Sequence, residues 1–397
     1  MGPLTGMKVV EFAGIGPPPM CAMLLADMGA DVIKVEKVPT GDDSRRFVPP
    51  DIDGESAAFM MMNRNKRGVA VDLKNHAGRE VAQRLTNQAD VVVENYRKGT
   101  MERLGLGYEA LRERNPGIIY CELSGFGRTG PYAEHGGFDL IAQGMSGLMS
   151  ITGEKPGGPP VKCGAPVTDI TAGILAAMGV LAAYIHRTKT GAGQRVDTSL
   201  FEAGIVQTYW QSAITLATGT APGAMGSAHP LNAPYQAFQT SDGWITVGAA
   251  NQTNWLRLLE VLGKVYLLED ARFATNEARV RNLDRLAAEL EPVFKRRPTA
   301  EWLTRLKKAG VPAGPVLDMA AMLAHPQTAA RDMVTPVQHT KLGSVQTLGH
   351  PVKFSETPVT LERGAPILGE HTREVLLEYG YTEEEIDTLV LDGVVMT

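Results

Sequence analysis

Residues 8–36 read KVVEFAGIGPPPMCAMLLADMGADVIKVE. Residues 8–12 and 31–36 are short apolar runs of the kind found in buried strands. Between them, residues 14–19 have the composition of a turn and residues 20–28 have helical apolar spacing. A strand, a turn, a helix and a second strand in this order predict a βαβ unit, in which the two strands run parallel.

The same alternation continues along the chain as far as residue 120. Helical spacing is found over 77–88 and 107–113, and strand-like apolar runs over 90–94 and 118–120. Repeated βαβ units predict an α/β fold whose large domain has a doubly wound, parallel, Rossmann-like sheet.

The texture of the sequence changes near residue 226. Residues 235–238 and 244–247 flank Ser241-Asp242-Gly243, which predicts a β-hairpin, and helical segments follow it. We therefore expect a smaller α+β domain. The predicted organisation is a large domain beginning at 1–200, a linker helix at 201–225, the small domain at 226–325 and a C-terminal segment at 326–397 that returns to the large domain.

The composition excludes several classes of protein. Of 397 residues, 44% are hydrophobic and 21% are charged, and the net charge of −5 argues against a nucleic-acid binder. Three widely spaced cysteines predict neither a disulfide framework nor a zinc site. The uncharged stretch 170–185 is short for a membrane span, and no export signal is recognisable. We expect a soluble, cytoplasmic protein that binds neither nucleic acid nor membrane.

The turn Gly14-Ile15-Gly16-Pro17-Pro18-Pro19, followed by Glu36, superficially matches a dinucleotide-binding fingerprint. The match fails at the third glycine, where Pro19 stands. Three prolines also remove three backbone N–H groups that would hold a pyrophosphate at the start of a helix. The sequence therefore argues against an NAD-dependent oxidoreductase.

Asp169 is the best candidate for a catalytic group. No His, Cys or carboxylate cluster has metal-ligand spacing, and neither HExxH nor GxSxG is present. Asp169 lies between the loop 164–168 and an apolar helix, where it would occupy the N-cap and accept backbone N–H bonds. Those contacts would lower its pKa and keep it ionised, as a nucleophile requires. Simple capping of a buried helix explains the same position.

Six ordered segments extend over nearly the whole chain. They are LADMGADVIKVE at 25–36, NRNKR at 63–67, VDLK at 71–74, VENY at 93–96, GAGQRVD at 191–197 and LGEHT at 368–372. In this order they resemble the class III CoA-transferases, the family of formyl-CoA transferase and carnitine CoA-transferase.

The resemblance implies that Asp169 matches the catalytic aspartate of the family. The implied mechanism is ping-pong through an aspartyl-CoA thioester, with an acyl-CoA and a carboxylic acid as substrates. No metal and no permanently bound cofactor is implied.

The resemblance also implies a set of residues that would hold CoA. Lys37, Lys74 and Arg103 would supply cations for its phosphates, although each is also explained as a solvated surface charge. The full set is Ile15, Gly16, Pro17, Lys37, Val71, Asp72, Leu73, Lys74, Asn95, Tyr96, Arg97, Arg103, Gly137 and Phe138.

The α-methylacyl-CoA racemases share this family and use a His and an Asp to move an α-proton. Where they have Gly-His-Asp, this chain has Gly137-Phe138-Asp139, and Phe138 cannot exchange a proton. His135 would need a shifted loop to substitute, and Gln239 stands where racemases tend to have Glu. A transferase is favoured over a racemase, and a non-catalytic acyl-CoA-binding protein is the remaining alternative.

The predicted small domain gives a clue to the acids. Residues 226–229 and 234–238 resemble the succinyl-CoA–glutarate branch, and 246–251 lack the glycine-rich run of formyl-CoA transferase. We expect a short dicarboxylic acid as acceptor and succinyl-CoA or a similar thioester as donor. The resemblance further implies an interlocked homodimer.

Overall fold

The computed structural model describes residues 1–397, which divide into two compact units. The first unit contains 1–146, 164–207 and 326–397, and the second contains 147–163 and 208–325. The predicted small domain, 226–325, lies within the second unit, which begins earlier and also takes in 147–163. Residues 326–397 cluster with the first unit, and the predicted linker 201–225 is divided between the two units at residue 207.

The chain forms short strands and mostly short helices. The strands are β1 Lys8–Phe12, β2 Asp31–Glu36, β3 Asp51–Ile52, β4 Glu55–Ser56, β5 Lys66–Val71, β6 Val91–Glu94, β7 Ile119–Ser124, β8 Arg195–Ser199, β9 Tyr235–Gln239, β10 Trp244–Gly248, β11 Ala313–Pro315, β12 Val334–His339, β13 Gly343–Leu348 and β14 Val395–Met396. The helices are α1 Pro17–Asp27, α2 Ala57–Asn63, α3 His76–Asn87, α4 Thr100–Arg103, α5 Tyr108–Arg114, α6 Asp139–Met145, α7 Leu148–Ile151, α8 Val167–Thr190, α9 Leu200–Gln207, α10 Tyr209–Thr218, α11 Gln252–Leu262, α12 Asn276–Arg281, α13 Leu283–Phe294, α14 Thr299–Ala309, α15 Met319–Leu323, α16 Pro326–Ala330, α17 Thr372–Glu378 and α18 Glu383–Leu391.

The first unit is built on a seven-stranded sheet in the order β14-β5-β2-β1-β6-β7-β8. Six strands are parallel, and β14 pairs antiparallel with β5 at one edge. The predicted parallel α/β sheet is therefore confirmed. The strand order reverses at β1, which pairs with β2 on one side and with β6 on the other.

Alternate strand residues point to opposite sides of this sheet, and helices cover the apolar side chains on both faces. Val9 and Val91 lie in a core cluster with residues of α1 and α8. Val10 and Val92 lie in a second cluster with residues of α3 and α17. Two buried faces explain why the strands read as nearly continuous apolar runs.

Helix α8 has 24 residues and is longer than the sequence predicted. By length and composition alone it could cross a membrane, although buried core helices pass the same test. It packs against α1 closely enough that a methyl group on Gly173 would lie 2.9 Å from the carbonyl oxygen of Pro17. This approach brings the start of α1 beside the start of α8.

The second unit has its own core. Strands β9 and β10 form the predicted hairpin, with Phe238 opposite Ile245, and β11 completes a three-stranded antiparallel sheet. Its core residues come from this sheet and from helices α11, α13 and α14.

Candidate functional site

The candidate site lies at the carboxyl edge of the parallel sheet. Strands β1 and β6 are neighbours, but the chain leaves β1 toward β2 on one side and continues from β6 toward β7 on the other. Ligands of open α/β sheets bind in the crevice at such a switch point. The turn after β1 and the loop after β6 therefore border the expected ligand position.

The turn after β1 has an unusual backbone and is held by side chains. Gly16 has a φ of 93°, which favours glycine, and Ile15 has a φ of 25°, which is strained for a β-branched residue. The amide of Asn95 donates to the carbonyl oxygens of Gly14, at 2.8 Å, and Ile15, at 3.0 Å. Asp42 accepts from the backbone N–H of Ile15 at 3.3 Å. The turn is therefore fixed through its backbone.

Asp169 faces this turn from α8. A methyl group built on Gly16 would lie 3.8 Å from Oδ1 of Asp169, in van der Waals contact with the carboxylate. The absence of a side chain at Gly16 leaves space directly beside Asp169. The structure therefore brings the predicted residues Gly16 and Asp169 together.

The predicted capping role of Asp169 is wrong. Helix α8 begins at Val167, with Pro166 as its N-cap residue and no side-chain cap from within the segment. Asp139 instead accepts from the backbone N–H of Thr168 at 3.0 Å and from its hydroxyl at 2.8 Å. Because Asp139 takes these donors, the helix starts earlier than expected and Asp169 is its third residue.

The predicted direction of the Asp169 pKa is also wrong. Burial and the nearby charge of Asp139 raise the pKa of Asp169 to about 6. A carboxylate with this pKa is still mostly ionised at neutral pH. It is a more basic, and hence stronger, nucleophile than an ordinary aspartate.

The predicted CoA-binding residues end or follow β1, β2, β5 and β6, and Gly137 and Phe138 follow β7, so all lie at or after the carboxyl ends of parallel strands. Lys74, Arg97 and Arg103 are exposed there. Lys37 is also exposed, and its ammonium pairs with Asp43 at 2.8 Å. The exposed cations are free to approach an anionic ligand from solvent.

Several members of the predicted set have other roles in this structure. The Asn95 amide group is engaged by the β1 turn. Val71 is fully buried in the core. Its side chain therefore supports the Asp72–Lys74 loop from below and does not face a ligand in solvent. Tyr96 is partly buried, and its backbone N–H donates to Glu94 at 2.6 Å.

Phe138 immediately precedes α6 and is 74% exposed. The glycine before it lies against another backbone, since a methyl group on Gly137 would be 2.4 Å from Cα of Gly125. His135 is exposed and packs against the ring of Tyr132 with 4.9 Å between ring centroids. The structure therefore supplies no histidine at position 138 and keeps His135 against Tyr132.

Asp42, Asp139 and two buried lysines near the turn were not predicted as site residues. Lys34 and Lys66 are fully buried in strands β2 and β5. A charged residue inside a predicted strand that is otherwise mainly apolar is the signal that would have found Lys34, because lone buried charges are rare. Lys66 gave no such signal, since β5 was not predicted. Asp42 lies in the segment between β2 and β3, and Asp139 is the first residue of α6, and an acidic residue at either position carries no comparable signal.

Comparisons with known proteins agree with this geometry. Residues 4–372 match the model of CoA-transferase family III. An acyl-CoA transferase of Fusarium pseudograminearum is 42% identical over 99% of this chain and 88% of its own length. A succinate–glutarate CoA-transferase of Agrobacterium fabrum is 39% identical over 95% of each chain.

A solved structure shares the fold. A CAIB/BAIF family protein from Brucella suis superposes with a TM-score of 0.84 and is 41% identical, over 95% of this chain and 99% of that one. The resemblance drawn from the sequence segments is confirmed by the family match. With its nucleophile candidate at the switch point of the sheet, this chain belongs to CoA-transferase family III.

Proposed function

We propose that this CoA-transferase moves CoA between two carboxylic acids with Asp169 as the nucleophile. The observation that carries the proposal is the half-buried Asp169 carboxylate, with a pKa raised to about 6, against the open side of Gly16. A carboxylate beside unfilled space at a ligand-binding crevice has both the charge and the room to attack a thioester.

The proposed reaction begins when an Asp169 oxygen attacks the thioester carbonyl of the donor. The C–S bond breaks, CoA leaves as a thiolate, and a mixed anhydride joins Asp169 to the donor acid. The thiolate then attacks the Asp169 carbonyl, which releases the donor acid and leaves an aspartyl-CoA thioester. The acceptor carboxylate attacks this thioester, and the returning thiolate completes the new acyl-CoA and frees Asp169. Each step conserves charge and needs no oxidant.

The acids are proposed to be short dicarboxylic acids, with a succinyl-CoA-type donor. The name of the Agrobacterium relative pairs succinate with glutarate, and that protein is 39% identical. A panel of donors and acceptors checks this assignment. Activity with branched, aromatic or carnitine-like acids alone would reject it, while leaving transferase chemistry intact.

The racemase alternative is disfavoured by Phe138 and His135. An exposed Phe138 supplies no base, and His135 packs against Tyr132. Exchange of deuterium into the α-carbon of an acyl-CoA, without transfer to a free acid, would favour the racemase instead. Tight acyl-CoA binding with neither reaction would favour the non-catalytic binding protein.

We also propose that the protein is a homodimer, as the interlocked family architecture implies. Helix α8 carries an exposed apolar stripe at one-turn and two-turn spacing, made of Ile170, Ile174, Met178 and Ile185. A contiguous apolar surface of this kind is typical of a protein interface.

Mass spectrometry of the intact protein after incubation with succinyl-CoA tests the nucleophile directly. The expected result is an acyl or CoA adduct that maps to Asp169 and is absent from Asp169→Asn. An adduct on another residue, or transfer that survives in Asp169→Asn, would contradict the proposed mechanism.

A further inference from the structure

Four charged side chains form a network beneath the turn that faces Asp169. Lys34 contacts Glu11 at 2.8 Å and Asp42 at 2.9 Å, and Lys66 contacts the other oxygen of Glu11 at 2.7 Å. All four side chains are 0% exposed. Two cations and two anions therefore balance in a space closed to solvent.

Three members of this network also hold the backbone of the turn. Lys34 donates to the carbonyl oxygen of Ala13 at 2.9 Å, and Lys66 donates to that of Pro19 at 2.9 Å. Asp42 accepts from the N–H of Ile15 at 3.3 Å. The network is therefore hydrogen-bonded to the backbone at the beginning, the middle and the end of the turn.

Burial of four charges is an expensive way to stabilise a fold. Replacement of a buried ion pair by packed apolar residues is often neutral or stabilising, so such a network is weak evidence for a purely structural role. Here it supports a turn whose backbone is strained at Ile15, with a φ of 25°. Strained backbone persists at functional sites only where its surroundings hold it in place.

We propose that the Glu11–Lys34–Asp42–Lys66 network positions the Ala13–Pro19 turn against the Asp169 carboxylate, with Asp42 as the member that fixes Ile15 and Gly16. This proposal rests on Asp169 being the nucleophile. The network itself touches no reacting atom. Its effect is to keep Gly16 where the thioester reaches Asp169 without a clash.

The charge state of Asp42 is constant over the working pH range. Although burial opposes ionisation, contacts with Lys34 and Ser44 lower the pKa of Asp42 to about 2. Asp42→Asn therefore removes a permanent charge but leaves an oxygen that can accept from Ile15. Asp42→Ala removes the acceptor as well.

The test compares these two variants of the full-length protein with a matched control. Asp27 lies at the opposite end of α1, is fully buried and pairs with Arg64 at 2.6 Å. Asp27→Asn thus disturbs a buried ion pair at the far end of the helix that follows the turn. At a rise of 1.5 Å per residue, this position lies about 15 Å from the start of α1. The readouts are kcat, KM for the donor, the rate of adduct formation on Asp169, and hydrogen exchange of peptides that cover residues 13–19.

We expect Asp42→Ala to lower kcat by about 10- to 100-fold, since small misplacements near reacting groups cost factors of this size, with a smaller change in KM. Hydrogen exchange over residues 13–19 should become faster. Asp42→Asn should recover part of kcat. Asp27→Asn should lower the melting temperature without changing kcat or the hydrogen-exchange rates over residues 13–19.

An Asp42→Ala variant that is destabilised but keeps its kcat and its exchange rates over 13–19 would overturn the positioning role. Equal losses of kcat in Asp27→Asn and Asp42→Ala would also overturn it, because the effect would then be one of stability. If the wild-type protein forms no adduct on Asp169, the proposed function fails, while hydrogen exchange still reports whether the network holds the turn.

Discussion

The basicity of Asp169 sets a balance between charge and reactivity. Burial and Asp139 raise the pKa of Asp169 to about 6, so this proposed nucleophile is about 90% ionised at pH 7. A lower pKa would give a weaker nucleophile, and a higher one would leave less of it ionised.

The rate of adduct formation on Asp169 should fall as pH decreases through about 6. Below that midpoint, the rate should drop about tenfold per pH unit, because only the ionised carboxylate attacks. Asp139→Asn should move the midpoint to lower pH, since it removes a like charge while its remaining oxygen can still accept from Thr168. Single-turnover kinetics between pH 4.5 and 8 measure both effects.

Glu80→Gln provides the control for that profile, because Glu80 is an exposed carboxylate on α3. Its midpoint should equal that of the wild type. A midpoint that Asp139→Asn leaves in place, or moves upward, would contradict the role given to Asp139.

Asp169 should also destabilise the native protein at neutral pH. A carboxyl group whose pKa is raised on folding favours the unfolded state once the pH exceeds its unfolded pKa, and the full effect is present above the folded pKa of about 6. Asp169→Asn should therefore raise stability by on the order of 1 kcal/mol at pH 7.5, discounted for partial exposure. The gain should shrink as pH falls from 6 toward 4.

Thermal unfolding of Asp169→Asn and wild type at pH 7.5 and pH 4.5 checks this prediction. The difference in melting temperature should be larger at the higher pH. A variant that is less stable than wild type at pH 7.5 would argue that Asp169 makes a net stabilising contact.

At the scale of secondary-structure elements, β1 and β2 were predicted with their observed bounds, because both are short, mainly apolar runs that flank a turn and a helix. Strand β5 was not predicted. Its first two residues, Lys66 and Arg67, resemble a surface cluster, yet every residue of β5 is buried. Ion pairs to residues distant in sequence account for that burial, and local periodicity carries no information about them.

The close approach of α1 and α8 makes Gly173 sensitive to substitution. A methyl group there would lie 2.8 Å from Cβ of Met20 and 2.9 Å from the carbonyl oxygen of Pro17. Gly173→Ala should therefore destabilise the protein by about 1–3 kcal/mol, as overpacking does, and should lower kcat by displacing the turn. Thermal unfolding and steady-state kinetics measure the two effects.

Gly179→Ala is the matched control on the same helix. A methyl group at Gly179 would lie 2.7 Å from Cγ1 of Val196 in β8, so it would contact a side chain outside α1 and no backbone atom of another element. The better helix propensity of alanine offsets part of that contact. If Gly179→Ala lowers kcat as much as Gly173→Ala, contact between α1 and α8 is not what matters.

At the scale of the whole molecule, the sheet and the location of the site could be predicted from sequence. Residues that follow parallel strands lie at one edge of the sheet, so Ile15 and Asn95, which the resemblance assigns to CoA binding, share that edge. The partners that hold the site were not predictable. Asp42 reaches Ile15 across 27 residues, and Asp139 reaches Thr168 across 29, and contacts at such separations leave no repeating pattern in the sequence.

The proposed homodimer gives a prediction about mass in solution. Ile174 is 49% exposed and Met178 is 61% exposed on α8. Ile174→Glu combined with Met178→Glu should weaken the interface, because it would bury unpaired charge. Because interlocked chains separate only by unfolding, light scattering after unfolding and refolding should then report monomer or aggregate instead of dimer.

Leu391→Glu is the control, because Leu391 is 86% exposed on α18, away from the α8 stripe. This variant should remain dimeric. A wild-type monomer at working concentration would contradict the dimer itself, and an unchanged dimer in the α8 double variant would place the interface elsewhere.

The way the β1 turn is held has a consequence for evolution and for enzyme redesign. Side chains from elsewhere in the fold bind the carbonyl groups of the turn, which every residue type carries, and the N–H group of Ile15, which every residue type except proline carries. The side chains at some turn positions can therefore change while the backbone of the turn keeps its conformation. A library that varies Ile15 and Pro17 but preserves Glu11, Lys34, Asp42 and Lys66 should retain folded members. A second library that varies the four charged residues should retain fewer. New acid preferences should therefore be found more often in the first library.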